Sequence, residues 1–358
     1  MPDSDSPRPT LRTIARETGL SLGAISLALR NHPSIPQATC QRVQTAARRL
    51  GYHPDPKLAT LMQHLRTRAS VDYHETLAYL SFYENYDAWR RYSQNDYYLG
   101  ACERSRDLGY KIEVFHLGEP GMTAARMSRL LSARGIRGIL IGPTDAPERN
   151  LDLHWDRFAA VTFGYSVNTP NLHRVTTDYY LGMRMALQKL KAEGRARVGL
   201  NINSKDDKKV LHLWRAAYAH HQETVPPENR VAVNSTEDGK GNLRDWLRKE
   251  NPDAIISSGC DFPQAYEETC GQRPPASIRY VNLNILHADK RSSGIDVDSF
   301  AVGRLACEHV VAQLQRNEIG LPDRPHVLMI EGLWVENYQA WRRSLGKRTP
   351  PQSEPART

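Results

Sequence analysis

Residues 10–31, TLRTIARETGLSLGAISLALRN, carry apolar side chains at Leu11, Ile14 and Ala15, then at Leu20, Ile25 and Leu29. Spacings of three to five put one stripe on each of two short helices, with Leu20 as a plug between them. Gly19 falls where the first helix must reverse, and glycine tolerates the left-handed backbone that such an end needs. Ser21 is placed to cap the second helix through its hydroxyl. A third amphipathic helix is predicted from Gln37 to Leu50, with Val43, Ala47 and Leu50 inward. Three helices of this length make a small self-contained head. Two helices joined by a tight glycine turn are the pattern of a helix-turn-helix, which sets one helix in the DNA major groove.

Many helical hairpins never touch DNA, and charge separates the two readings. Residues 1–70 hold ten Lys/Arg against four acids, so +6 of the chain's +8 sits there. The other 288 residues hold 38 bases against 36 acids. A cationic head on a near-neutral body is the electrostatic footprint of a nucleic-acid binder.

At 358 residues the chain exceeds one ordinary core, and its 40% hydrophobic and 25% charged residues are those of a globular protein. The opening MPDSDSPRPT is polar and predicts no signal peptide, and no apolar run reaches membrane-span length. Five scattered cysteines (Cys40, Cys102, Cys260, Cys270, Cys307) without Cys-x-x-Cys spacing predict reduced thiols in a cytoplasmic, nucleoid-associated protein. The 13 histidines are spread out and show no metal-ligand spacing, so neither metal nor cofactor is expected. The expected division is a head at 1–52, a hinge helix and linker at 53–75, a two-lobed body at 76–345 and a disordered tail at 346–358. In the hinge, Pro54 and Pro56 interrupt the helix, and Leu58, Leu61, Met62 and Leu65 form a stripe suited to a partner chain.

From Leu77 onward, strand and helix patterns alternate. Strands are predicted at 77–83, 111–115, 138–141 and 159–163, with helices at 95–108 and 122–134. A second set starts near Tyr179, with helices at 208–221, 242–249, 263–269 and 300–315. Its strands are expected at 197–201, 254–258, 278–283 and 327–330. This order implies parallel sheets with helices on both faces, in two tandem lobes that enclose a ligand cleft.

The head pattern IAxxxGLSxxxxSxALRN resembles that of the LacI/GalR-type (lactose-repressor) family of bacterial transcription regulators. GACERSRDLGY, LLSARGIRGILIGP, VTTDYYLGMRMALQKLKAEGRARVGL and GIDVDSFAVGRLACEHV follow in the family's order over residues 9–345. The resemblance implies an all-α helix-turn-helix head and an α/β, two-lobed, periplasmic-binding-protein-like body with parallel sheets. It further implies a homodimer on a double-stranded, inverted-repeat operator, without a membrane role. A small molecule, often a carbohydrate, would sit between the lobes and set operator affinity. By position, Leu22, Gly23 and Leu27 occupy base-reading sites, although relatives often carry polar or Arg side chains there. Thr10, Ser21, Ala24, Ser26, Arg30 and Asn31 fall near backbone-contact sites, and Leu11 and Tyr52 belong to the same DNA-facing set. For Ser21, a helix cap and a phosphate contact are both open. Leu61 matches a leucine that family members wedge between base steps, with Leu58 as the fallback. Asp55-Pro56 replaces the usual Asn-Arg of that hinge.

Cleft residues are expected at the carboxyl ends of strands. Asp261 matches an acidic position that binds sugar hydroxyls in relatives, and it equally suits a helix N-cap. Asp178 carries the same pair of roles, with capping preferred. Trp214 stands where sugar-binding relatives carry Arg, and either stacks on a ring or packs in the core. Asn284 resembles a cleft position that is usually acidic. The segment ENYDAWRRYSQND, residues 84–96, is predicted as a loop over the cleft. It offers Trp89, Arg90, Arg91 and Tyr92, with Tyr83 just before it, or is a solvated surface loop. Trp334 is assigned to packing between lobes.

Other function classes fit less well. An enzyme on a dinucleotide fold lacks G-x-G-x-x-G, Walker and G-x-S-x-G motifs. An exported solute-binding protein would need a signal peptide and no basic head. A regulator of the same architecture without a small-molecule effector stays open.

Overall fold

The computed structural model describes residues 11–29, 31, 33–50, 52, 75–92, 96–237, 241–258, 262–275, 277–285 and 293–337. The head consists of α1 (Leu11–Thr18), α2 (Leu22–Leu29) and α3 (Gln37–Arg49). Ile14, Ile25, Ala28, Cys40, Val43 and Ala47 form its buried core, and Leu11, Leu20, Leu29, Leu50 and Tyr52 pack around it. The predicted stripes are therefore the ones that pack. Gly19 takes φ +70°, and its N–H donates to the Ala15 carbonyl, which ends α1.

The first lobe opens with β1 (Glu75–Ser81), α4 (Tyr86–Tyr92), α5 (Asp96–Asp107), β2 (Tyr110–His116), α6 (Ala124–Ala133) and β3 (Gly138–Ile141). β4 (Ala159–Phe163) and β5 (His173–Thr177) follow. The second lobe holds α7 (Tyr179–Ala192), β6 (Val198–Asn203), α8 (Ser204–Lys209), α9 (Leu213–Thr224) and β7 (Asn234–Thr236). It continues with α10 (Leu243–Glu250), β8 (Ala254–Ser258), α11 (Phe262–Cys270), β9 (Arg279–Asn282) and β10 (Ser293–Asp296). Then come α12 (Ser299–Arg316), β11 (Val327–Ile330) and β12 (Leu333–Val335). The strand orders are β11-β5-β4-β3-β1-β2 and β12-β10-β9-β8-β6-β7. Every pairing in them is parallel except β10 with β12.

Strand alternation divides each core. Leu77 and Tyr79 face α5 and α12, whereas Ala78 and Leu80 face α6. The second sheet buries Leu200, Ile256 and Val281 against α7 and α9, and Ile255 against α10 and α11.

The lobes are not tandem, although the order of elements along the chain predicts that they would be. α12 and β11 return to the first lobe, because Val302, Ala306 and Val310 join its core. α12 also crosses α5 at two glycines: a Cβ on Gly100 would lie 2.0 Å from the Phe300 carbonyl oxygen, and one on Gly303 2.1 Å from that of Tyr97. Only glycine permits that approach.

Two local expectations are also corrected. Residues 84–96 do not form one loop, because 86–92 are helical. Asn85 starts that helix: its side-chain Oδ1 accepts from the Ala88 N–H at 2.9 Å, and its carbonyl from Trp89. The helix expected at 208–221 breaks at Leu211 and His212, both left-handed at φ +54° and +58°. Fully buried Asp207 holds that break, its carboxylate taking His212 Nδ1 at 2.7 Å and Arg215 Nε at 3.0 Å. Among the described residues no helix is long and apolar enough to cross a membrane.

Candidate nucleic-acid interface and interlobe cleft

On the head, α2 presents Gly23 fully open, with nothing within 4 Å of a built Cβ, and half-buried Ala24 and Leu27 on its flanks. Ser21 Oγ accepts from the Ala24 N–H at 3.2 Å, so the capping role is occupied. Asn31, at φ +53°, accepts from Gln44 through Oδ1, and its carbonyl accepts from Asn317 at the end of α12. Asn31 therefore joins the head to the first lobe. Leu11 and Tyr52 pack on the head core. Exposed Arg16, Arg42, Arg48 and Arg49 supply positive charge on α1 and α3, with Arg49 paired to Glu17. Thr10, Arg30, Leu58, Leu61 and Asp261 lie outside the described residues, as do the side chains of Leu22, Ser26, Arg90, Arg91 and Tyr92.

The chain passes between lobes three times, after β5, after β10 and after β11. The crossings are tied together. Thr177 Oγ1 donates to the Val297 carbonyl at 2.6 Å, and the Asp178 N–H donates to the Ile330 carbonyl at 2.9 Å. Asp178 caps α7 by accepting from the Leu181 N–H at 2.9 Å. Asp298 caps α12 by accepting from Ala301 at 3.1 Å. Two of the three crossings thus enter a capped helix at once, which leaves little slack in the hinge.

A chain of aromatic rings runs from the first-lobe core to the second-lobe core. Trp89 lies 5.5 Å from Tyr79, Tyr79 lies 5.8 Å from Phe163, and Phe163 lies 5.1 Å from Tyr97. Tyr97 meets Tyr179 through their hydroxyls, and Tyr179 stands edge-on to Trp214 at 5.3 Å. Trp89 is 1% exposed and Trp214 6%, so both rings serve as packing in this conformation. Burial pushes the Tyr79 hydroxyl well above its ordinary pKa, with the neighbouring Tyr97 adding to the shift. That hydroxyl stays a neutral donor, and it has no hydrogen-bond partner among the described residues. Ser258 Oγ, at the end of β8, is equally buried and unpartnered there. Sequence reasoning singles out neither residue, since a tyrosine inside an apolar strand run looks like core.

Two other expected cleft residues, Tyr83 and Asn284, each follow a strand. Tyr83 follows β1, is half-buried, and its N–H donates to Ser81 Oγ at 3.3 Å. Asn284 follows β9 and donates its N–H to Asn282 Oδ1 at 2.9 Å. Trp334 lies on β12 in the second lobe, where its Nε1 donates to Glu336 at 2.8 Å and Lys189 covers its ring. Arg174 is 5% exposed and bonds only carbonyls, donating to Gly164 at 3.1 Å and to Asn171 Oδ1 at 3.3 Å. Burial lowers its pKa.

Residues 10–55 match the family model "Bacterial regulatory proteins, lacI family". Among curated proteins no sequence relative matches the chain. The fold is shared with several solved structures. One is the transcriptional regulator CelR–cellobiose complex, at 20% identity and TM-score 0.54 over 93% of this chain and 100% of that one. Another is the lac repressor dimer bound to operator and the anti-inducer ONPF, at 16% and 0.50 over 93% and 99%. A third is the LacI-family regulator CCPA from Weissella paramesenteroides with bound glucose, at 12% and 0.52 over 73% and 97%. The head sequence at 10–55 is thus that of the lacI family of bacterial regulatory proteins, and the body behind it shares the three-crossing, two-lobed fold of those solved regulators.

Proposed function

We propose that this regulator acts as a homodimeric repressor in the cytoplasm, on an inverted-repeat operator whose affinity is set by a ring-bearing small molecule between the lobes. The observation that carries this reading is the tied triple crossing behind a helix-turn-helix head. A ligand that favours one lobe arrangement is transmitted toward the head through that hinge, and only such differential binding shifts DNA affinity. The half-buried rings of Tyr97 and Tyr179 stand at the boundary, and Tyr79 and Ser258 supply buried, unpartnered hydroxyls, which suits a carbohydrate. Cellobiose and glucose in the related complexes favour the same class.

On the DNA side, Leu22, Gly23 and Leu27 read bases by apolar contact and close approach, while Thr10, Ser26, Arg30 and the exposed arginines hold phosphates. Leu61, with Leu58 as alternative, wedges into the minor groove from the hinge. The family's regulators are not enzymes, and no catalytic role is proposed.

The test is fluorescence anisotropy of the full-length protein on genomic fragments selected by binding, with and without a mono- and disaccharide panel. Selection of a palindrome whose affinity moves with one sugar supports the reading. Equal affinity for the selected fragment and its scrambled version overturns the operator assignment. An operator affinity unmoved by every metabolite tested, including nucleotides, leaves the effector-free regulator as the correct account. In the same assay Arg42→Ala flattens the salt dependence by about 0.9 in log–log slope for each phosphate that the arginine neutralises.

A further inference from the structure

Three histidines distant in sequence meet at one end of the first lobe. His173 opens β5, His326 stands directly before β11, and His309 lies on α12. Their ligand nitrogens all lie within 4.8 Å of one another, on one buried, one half-buried and one exposed ring. The His173 ring centroid is 4.8 Å from both His309 and His326, and those two are 6.0 Å apart. We propose that His173, His309 and His326 form a binding site for a divalent transition-metal ion such as Zn2+, with a fourth position open to water on the His326 side.

Three imidazoles and one open position are a donor set that zinc accepts. Two of the rings are also biased toward their neutral form. Burial lowers the pKa of His309 to about 4, and the charges that His173 and His326 would carry push the same way. His173 is lowered as well, again mainly by burial. A ring biased toward its neutral form has less proton competition for the metal-binding nitrogen. His309 Nε2 is buried and has no hydrogen-bond partner among the described residues. A buried polar nitrogen without a partner is costly, and a metal ion would satisfy it.

The charged groups alongside tolerate a cation. Arg316 and Glu318 face the cluster but bind one another through two contacts of 2.6 and 2.7 Å. That pairing keeps the Glu318 carboxylate out of the ligand set and offsets the guanidinium charge. Tetrahedral zinc at about 2.0–2.1 Å holds its nitrogen ligands about 3.3 Å apart, so the three rings must close by a side-chain rotation. Exposed His326 has the freedom to make it. His173 Nδ1 now accepts from the His326 N–H at 2.9 Å. Coordination through Nδ1 takes over that lone pair, and coordination through Nε2 needs the proton on Nδ1. Either route gives up one neutral hydrogen bond.

The bound ion would clamp β5, β11 and α12 together. β5 and β11 each run into an interlobe crossing, and α12 ends one residue before Asn317, which bonds Asn31 of the head. The site is separate from the interlobe cleft, since His173 and His326 open or precede the strands whose far ends reach the crossings, and His309 lies ten residues into α12.

The experiment uses full-length protein stripped with a chelator and desalted, titrated calorimetrically with ZnCl2 alone and melted with and without it. The expected result is one zinc ion per chain with a raised Tm, because a ligand specific for the folded state stabilises it. His326→Gln and His309→Gln should each weaken zinc affinity by about tenfold or more while leaving the metal-free circular dichroism spectrum unchanged. His326 is exposed, so its variant carries the test if His309→Gln fails to fold. Zinc binding that persists unchanged in His326→Gln, or the absence of binding to the parent protein, overturns the proposal.

Discussion

The hydroxyls of Tyr97 and Tyr179 are hydrogen-bonded to each other across the boundary between the lobes. Each ring is anchored in its own lobe, Tyr97 against the first core and Tyr179 against the second. Ser299 also bonds Tyr97, and Thr176 also bonds Tyr179, so residues at two crossings support the pair. Rotation of one lobe against the other cannot leave this bond unchanged. It is therefore a local reporter of lobe arrangement.

Replacing either tyrosine by phenylalanine is expected to cost about 0.5–1.5 kcal/mol of stability, the ordinary worth of one hydrogen bond. Tyr97→Phe with Tyr179→Phe together should cost less than the sum of the singles, because both remove the same bond. Urea melts of the four proteins measure the cycle. Strict additivity would show that the two hydroxyls do not interact in solution.

Gly303→Ala should destabilise the first lobe by about 1–3 kcal/mol, as overpacking of a close backbone contact does. The added methyl would meet the Tyr97 carbonyl, and α5 and α12 must then separate. Gly23→Ala is the opposite case, since the site is open and helical. It should stabilise the head by about 0.5–1 kcal/mol through lower unfolded-state entropy. Thermal melts of both variants decide the pair, and a neutral Gly303→Ala would refute the close crossing.

Ser21→Ala should cost the head about 0.5–2 kcal/mol by removing the N-cap of α2. Ser21→Asp keeps a capping oxygen and should retain most of that stability. If Ser21 also holds a phosphate, the aspartate variant loses operator affinity while its melting curve stays near the parent's. Anisotropy and calorimetry on the same preparations separate the two roles, and an unchanged melt for Ser21→Ala would remove the capping role.

Burial pushes the Cys102 thiol up to about 11 and the Cys307 thiol up to about 12. The thiolate is the reactive form, so at about pH 8 both should resist iodoacetamide in the folded protein. Cys270 is half-buried and should be labelled before both of them. Peptide mapping after a timed quench gives the order. Labelling of Cys102 or Cys307 at the rate of Cys270 would mean that the α5–α12 contact opens freely.

Much of the architecture is legible in the sequence because it is specified locally. Ile14 with Leu11, Ile25 with Leu29 and Val43 with Ala47 each stand about one turn apart on their own helix, and pack as that spacing requires. The strands at 138–141, 159–163 and 327–330 are mostly apolar runs, and they lie where those runs predict. The short strands β7, β10 and β12 escape such a reading, since three or four residues carry too little periodicity to register. Trp89 reads as a loop aromatic unless Asn85 is recognised as the cap that starts its helix. The cleft is less legible than the head. Asp178 and Trp214 each suit two roles, and one sequence shows no preference between a cap and a ligand contact. Tyr79 looks like core because it is core on every side but its hydroxyl.

The amino-acid order alone determined the three-helix head, its charge and the alternating α/β plan. Each follows from residues within a turn or two of one another and from simple sums of charge. Only the tertiary structure decided that α12 and β11 belong to the first lobe, that Tyr97 meets Tyr179, and that His173, His309 and His326 come together. Those relations join positions far apart in the chain, and an apolar stripe states that a face must be buried without stating what will bury it.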